Sequence, residues 1–484
     1  MTTGIVAYGG YVPLMRLERV AIHAANAWYA PGVKQAGTRS LASWDEDVIT
    51  MAVAASRDSL EVTHATPDVA AVYLASTTMP FADRLNAGVV AAAINLDESI
   101  TAIDITGTRR AALTAIGQAI ARCAMDGGRA LVVASDLRKT RPASSAEIDI
   151  GDGAAALIIG TENVLAEYLG GATFTVDFVD HFRTPDMDTD YAWEERWVRD
   201  EGIAKIAPRA IETALAKTGL TAAEIDRFIF PTTFKGMAAQ LAKTSGIRAD
   251  AVVDNLASQV GDTGTGHGLL ILAGLLAEAA PGETILMLEF GSGAEAMIFR
   301  TTQAIRSFQP RRGLAAWLKR KQETGDYTRL LANRGQIELE KGMRGEQDKK
   351  TALSTLYRHR KMIMALVGGK CRETGNVYYP PSRVGYDQRV NAKDTQDPYP
   401  MADRTATVLS WSAERLSAYP APPHHYGQLD FDGGGRILME FTDVVPGEIE
   451  TGTTMELVFR VKDRDPVRGF VRYFWKAVRA RENA

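Results

Sequence analysis

The chain has 484 residues, 46% of them hydrophobic and 24% charged, with 55 Lys and Arg against 59 Asp and Glu. At about 150 residues per domain this length holds about three units, and the apolar share excludes wholesale disorder. The near balance of charge excludes a dedicated nucleic-acid binder, and the two cysteines, Cys123 and Cys371, exclude a disulfide framework and fit a reducing, cytoplasmic setting.

The opening MTTGIVAYGGYVP lacks a basic segment ahead of an apolar core, so it does not read as a signal peptide. Asp47–Val62 (DVITMAVAASRDSLEV) has helical apolar spacing and is followed by a strand-like AVYLASTT. The next landmarks are the glycine-bearing turn and helix DITGTRRAALTAIGQAI at 104–120 and the strand RALVV from Arg129. The same order returns after an offset of about 156 residues. It comprises the helix Ile203–Leu220, the strand RFIFPTT, the turn and helix GDTGTGHGLLILAGLL at 261–276, and the strand TILML from Thr284. The pattern predicts a duplicated α/β unit with sheets covered on both faces. The apolar run Gly268–Ala280 is shorter than the about 20 residues of a membrane span, so it predicts a buried helix and no membrane association.

Between the repeats, DFVDHFRTPDMDTDYAWEERWVRDEG (177–202) is dense in aromatic and charged residues. Tyr191, Trp193, Glu194, Glu195, Arg196 and Trp197 are expected to serve an interface or a structural role. Gln303–Thr351, rich in Lys, Arg, Gln and Glu, is expected to be a solvated helical linker. The remainder shows five strand candidates: TATVLSWSAERL, YGQLDF, RILMEFTDVV, MELVFRV and GFVRYFWKAV, with a hairpin turn at DGGG, 432–435. Such a set predicts a small barrel of the OB type. His424 and His425, placed in a loop before a strand, make a weak metal hypothesis and are expected to be exposed.

The stretches DEDVITMAVAA, AVYLASTTMPF, AIDITGTRRAALTAI, GRALVVASD, GDGAAALIIG and LEFGSGAEAMIF resemble the thiolase superfamily, in its 3-hydroxy-3-methylglutaryl-CoA synthase branch. MALVGGKCRETGNVYYPPSRV, DFDGGGRILMEFTD and RYFWKA resemble the zinc ribbon and OB-fold domain that accompany thiolase-like proteins. The resemblance implies a five-layer αβαβα body with a C-terminal OB barrel. Its halves would be 1–165 and 166–302, with a linker at 303–352 and ribbon plus barrel at 353–484. It also implies Claisen-type chemistry on CoA thioesters, carried by a cysteine at the turn of the first half. Here that position is Arg109, which is always protonated and cannot carry an acyl group. Cys123, fourteen residues on, reads as a packing thiol. The family's glutamate falls on Thr77, its histidine on Pro231 and its asparagine on Asp262. The ribbon keeps Cys371, but Thr374, Gly385 and Gln388 stand where three further ligands would be, so we expect no zinc, and packing around Tyr378 and Tyr379 instead.

His267, in GTGHG, joins Asp262 and Thr77 as a candidate acid/base set, with Arg109 as an anion or carbonyl clamp. The glycines of 264–268 read as room for close packing rather than as a phosphate loop. Three readings result. In the first, the chain is a non-Claisen, acyl-CoA-related subunit, homodimeric, whose OB domain bridges to a catalytic thiolase. In the second, it is an enzyme of aldol-type carbon–carbon bond formation or cleavage on a CoA thioester, without a cysteine nucleophile. A third reading is a plain CoA-thioester binder. No tightly bound cofactor is expected; the implied ligand is a coenzyme A thioester.

Overall fold

A computed structural model describes residues 2–60, 66–341, 351–387, 390–465 and 467–480. The first half runs β1 (Gly4–Tyr11), α1 (Val48–Ser59), β2 (Ala71–Ala75), β3 (Thr101–Ile105), α2 (Ala111–Asp126), β4 (Ala130–Asp136) and β5 (Gly153–Gly160). The second runs β6 (Ala166–Thr175), α3 (Ala204–Thr218), β7 (Arg227–Ile229), α4 (His267–Glu278), β8 (Thr284–Phe290) and β9 (Gly293–Thr301). Their sheet order, β7-β8-β9-β6-β1-β5-β4-β2-β3, is a duplication with the halves joined where β1 meets β6 antiparallel, Ile5 opposite Ala166. The second half lacks a counterpart of β3, and Val252 makes only a single parallel bridge to Phe228 there.

Helix positions follow from which faces are apolar. Asp47 starts α1 through a capping box, its side chain accepting from the Thr50 N–H at 2.9 Å while Thr50 Oγ1 accepts from the Asp47 N–H at 2.8 Å. α1 then covers β1, β5 and β4 on one outside face, and α3 covers β6 and β9 on the other. Leu269, Leu270 and Leu272 of α4 are fully buried, as a helix apolar on all sides requires. α4 packs on β5, β1 and β7, while α2 packs on β4, β2, β5 and β9. Both central helices therefore touch strands of the opposite half, which gives five layers.

The barrel comprises β10 (Ala406–Glu414), β11 (His424–Phe431), β12 (Arg436–Glu440), β13 (Thr454–Arg464) and β14 (Val471–Arg479), in the order β12-β11-β10-β13-β14. A bridge between Phe441 and Ala477 closes its ends. The DGGG turn joins β11 to β12 with Gly433, Gly434 and Gly435 all at positive φ, which side-chain-bearing residues resist. Before the barrel, three short strands, Val377–Tyr378, Val367–Cys371 and Gln396–Pro400, pair in that order. Cys371 is buried with Tyr378 and Ala392, its Sγ 3.1 Å from Thr395 Oγ1. Among the described residues no group of three His, Cys, Asp or Glu is placed to hold a metal; Gln388 lies outside them. Nor is any described helix long and apolar enough to cross a membrane.

Two expectations need correction. Residues 303–341 are not a solvated linker. Leu314, Trp317, Leu330 and Arg334 are buried against the body, and Gln322–Thr324 pairs in parallel with Met15–Leu17. Arg334 forms a buried ion pair with Asp152. The polar composition misled because its arginines have carboxylate partners, Asp152 of the body for Arg334 and Asp403, Glu456 and Asp443 of the C-terminal domain for Arg311, Arg312 and Arg320, and its few apolar residues act as anchors. His424 and His425 are not an exposed loop pair. Both are half-buried on β11, opposite Glu414 and Ala413, and His424 stacks on Tyr419 with ring centres 4.2 Å apart.

The barrel is held to the body by buried charge. Arg460 of β13 lies 3.2 Å from Glu46 and 3.0 Å from Asp443, and donates to Tyr11 Oη at 3.1 Å. Lys476 of β14 reaches Asp45 at 3.0 Å, and Tyr473 donates to Asp47 at 2.7 Å. Arg57 adds hydrogen bonds to the carbonyls of Leu457 (2.6 Å) and Ala402 (2.8 Å).

Two predictions follow from this architecture. Elemental analysis of the purified protein should find no stoichiometric zinc, because Cys371 is the one thiol in the ribbon; about one zinc per chain would contradict this. Burial raises Glu46 from 4.5 to about 7, with Arg460 opposing. The folded state therefore holds a proton that the unfolded state has released between those values, so this group's contribution to stability is lost as pH rises through about 7. Urea unfolding of Glu46→Gln should show a shallower loss of stability than wild type across that window; parallel curves would refute the assignment.

Candidate functional site

The parallel strands β2 and β4 and the strand β8 end on one side of the sheet, where the first turns of α2 and α4 also arrive. Carboxyl ends of parallel strands are where such sheets place ligands. Asp136, fully buried at the end of β4, accepts hydrogen bonds from Ser76 Oγ (2.9 Å), the Thr77 N–H (2.8 Å) and Thr78 Oγ1 (2.9 Å). From the second half, Thr265 adds its N–H at 2.7 Å and its hydroxyl at 2.6 Å. This carboxylate ties the loop after β2 to the turn before α4.

Arg109 stands just ahead of α2, and its Nη2 forms an ion pair with Asp262 Oδ2 across the seam between the halves. The Arg138 guanidinium is 3.6 Å from the same oxygen, and the Gly264 N–H donates to Oδ1 at 3.0 Å. Burial would raise the Asp262 carboxyl, but the Arg109 and Arg138 guanidiniums hold it well below the usual carboxylate range. It is a permanently ionised anchor and a poor base. The next residue, Arg110, reaches the second half instead: its Nε donates to Gly291 O at 3.0 Å and its Nη1 lies 3.1 Å from Glu295. Gly291 is needed here because a Cβ would lie 2.8 Å from Thr108 Oγ1 and 3.2 Å from the Arg109 nitrogen.

The acid/base set expected from sequence does not assemble. His267 is buried, its Nε2 2.8 Å from Asn255 O and its Nδ1 3.3 Å from the Thr263 N–H. Burial lowers its pKa, so it is a neutral ring donating to a carbonyl and accepting from an amide, with both nitrogens engaged. Thr77 faces Asp136, and its carbonyl accepts from Arg183. Only Arg109 and Asp262 of the four candidates touch. Cys123 is buried on α2, its thiol donating to Ile159 O at 3.5 Å.

The segment between the halves supplies residues that its sequence did not single out. Asp190 pairs with Arg138 at 2.6 Å and with Arg183 at 3.1 Å, and Asp180 lies 2.7 Å from His181 Nδ1. The residues that drew notice, Tyr191, Trp193 and Trp197, are exposed, although Trp197 stacks on Phe178; Glu194 caps the short turn by accepting from the N–H groups of Arg196 (3.1 Å) and Trp197 (2.9 Å).

Arg109, Asp180, Phe230, Pro231, Phe234 and Glu289 line a cavity of about 40 Å³. That exceeds the about 10–15 Å³ needed to hold one water, and is far from the several hundred Å³ of a drug-sized site. Glu289 is buried at the end of β8, and its Oε2 has no hydrogen-bond partner among the described residues. The available signal was positional. Asp136 and Glu289 are acids closing otherwise apolar strands, ALVVASD and TILMLEF, at near-equivalent places in the two halves.

Comparison with known proteins agrees with this architecture. Residues 215–301 match the family described as 3-oxoacyl-[acyl-carrier-protein] synthase III C terminal, and 399–460 match the ChsH2 C-terminal OB-fold domain. The chain is 30% identical over 324 residues to hydroxymethylglutaryl-CoA synthase of Methanothermobacter thermautotrophicus, covering 64% of this chain and 91% of that protein. For the enzyme of Archaeoglobus fulgidus the figures are 28% over 346 residues, 69% and 99%. Among solved structures, an HMG-CoA synthase complexed with CoA superposes with a TM-score of 0.59 at 18% identity, covering 72% of this chain and 95% of that one. MvaS in complex with 3-hydroxy-3-methylglutaryl coenzyme A gives 0.57 at 20% identity, covering 68% and 91%. The chain thus belongs to the thiolase superfamily, as a homologue of the hydroxymethylglutaryl-CoA synthases that carries a ChsH2-type OB-fold domain after its body.

Proposed function

We propose that this chain is an acyl-CoA-related subunit of a thiolase-type hetero-complex, in which the body does no Claisen chemistry and the OB domain bridges to a catalytic thiolase. The observation that carries this reading is the Arg109–Asp262 ion pair. In the resembled family a cysteine thiolate at the Arg109 position takes the acyl group and an amide at the Asp262 position supports the thioester oxygen. A guanidinium cannot take an acyl group, and a carboxylate would repel an oxyanion. Thr77 and Pro231, at the remaining two positions, offer no titratable group, and burial raises the Cys123 thiol away from reactivity.

Other features support the assembly. The β13 and β14 side of the barrel is spent on the body, while Leu409, Trp411 and Leu438 are exposed on β10 and β12. β3 is an edge strand with Ile103 exposed, which suits a homodimer formed by strand pairing. A CoA thioester as ligand is supported by the CoA and 3-hydroxy-3-methylglutaryl-CoA bound in the two solved neighbours. The unpartnered Glu289 favours a second reading, aldol-type bond formation or cleavage on a CoA thioester without a covalent acyl carrier.

The test is affinity purification of the tagged full chain from its native host. A thiolase recovered in near-stoichiometric amount, and lost when Trp411 and Leu438 are both changed to Asp, is the expected result. Recovery of the chain with no thiolase, under conditions where light scattering shows the dimer intact, would overturn the subunit reading. A monomer by light scattering would overturn the dimer.

A further inference from the structure

Glu289 has no task in the subunit reading above. It is 4% exposed, its Oε2 is unpartnered, and its other oxygen sits over Gly268, where any Cβ would strike it. The charged groups facing it are Glu295, Arg109, Asp262 and Arg110. A carboxylate so buried, with no donor on Oε2 and two further carboxylates nearby, is costly, so the group keeps its proton. Burial and then Glu295 push its pKa well above the usual range, against the pull of Arg109.

Arg109 lines the same cavity and commits one nitrogen to Asp262; a guanidinium has five N–H donors. A buried neutral carboxylic acid donates a hydrogen bond to an oxyanion without repelling it. With Phe230, Pro231 and Phe290 around them, and with the one lining carboxylate, Asp180, engaged by His181 Nδ1 at 2.7 Å and the Ser292 N–H at 3.4 Å, these donors face a space of about 40 Å³, suited to one oxygen-bearing group and not to a whole acyl chain. We propose that Arg109 and the Glu289 carboxyl form an oxyanion-binding site for the enolate oxygen of an acyl thioester. This rests on the reading that the pocket takes a CoA thioester. When the enolate forms, the C–H bond next to the thioester carbonyl breaks, its electron pair moves into the enolate and the proton passes to solvent buffer. Asp262 is too weak a base to take it, and His267 already uses both nitrogens.

The probe is acetoacetyl-CoA, whose enolate absorbs in the near ultraviolet, added to the full chain in magnesium-free buffer at neutral pH. Equilibrium dialysis runs in parallel to measure binding. Wild type should raise the enolate fraction of bound ligand at least about tenfold, a floor below the about 10²–10³-fold that one oxyanion donor is worth in a transition state. Glu289→Gln retains an N–H donor and should keep most of the rise. Glu289→Leu and Arg109→Met should lose it while dialysis still shows binding. Bound ligand with an unchanged enolate band in wild type overturns the oxyanion site alone, as does a Glu289→Leu variant that behaves like wild type. No binding by wild type overturns the CoA-thioester reading and this site with it.

Discussion

The ion pair between Arg109 and Asp262 joins the two halves at the place where their strands and central helices converge. Asp262 is almost completely buried, so its charge is tolerable only with Arg109 and Arg138 beside it. Removing one partner of such a pair costs about 3–5 kcal/mol, because the other is left buried and uncompensated. The rest of the site is arranged around that constraint. Arg138 is shared with Asp190 of the inter-half segment, Arg183 links that segment to the Thr77 carbonyl, and Asp136 binds the loops of both halves. A pocket built this way is rigid and narrow. Its centre is a fixed electrostatic seam, and the aromatic and proline side chains of 230–234 line much of what remains.

A second set of buried charges fixes the barrel. The acidic run Asp45-Glu46-Asp47 meets Lys476, Arg460 and Tyr473, and Asp47 also caps α1. One short segment thus starts a helix of the body and receives the appended domain. The barrel cannot swing freely, and whatever it presents to a partner is presented at a fixed angle to the pocket. This geometry couples the bridging role proposed for the barrel to the body, rather than leaving it on a tether.

Much of the fold was legible because it depends on local pattern. The repeat was visible in α1 and α3, and in α2 and α4, since a helix between sheets must be apolar over its contacting faces. The barrel strands were visible by alternation, and its hairpin by the glycines at 433–435. Residues 303–341 were misread because composition cannot tell an arginine in water from one paired inside, as Arg334 is with Asp152. His424 and His425 were misread because the preceding prolines suggested a loop, while register against Ala413 and Glu414 places them in a strand. Within the candidate site, family spacing pointed to Arg109, Asp262 and Thr77, and the loop before α4 to His267, of which Arg109 and Asp262 lie in contact. Asp136, Arg138, Asp190 and Glu289 were not legible, since only tertiary folding brings these charges together from three separate segments.

In the proposed reading, a guanidinium committed to an ion pair occupies the position of the family's nucleophile, so that no acyl-enzyme forms. Intact-mass spectrometry of the full chain after incubation with acetyl-CoA tests it most directly. The account predicts a spectrum of unmodified protein only, in wild type and in Cys123→Ala alike. A stable adduct of acetyl mass on the wild-type chain would contradict it.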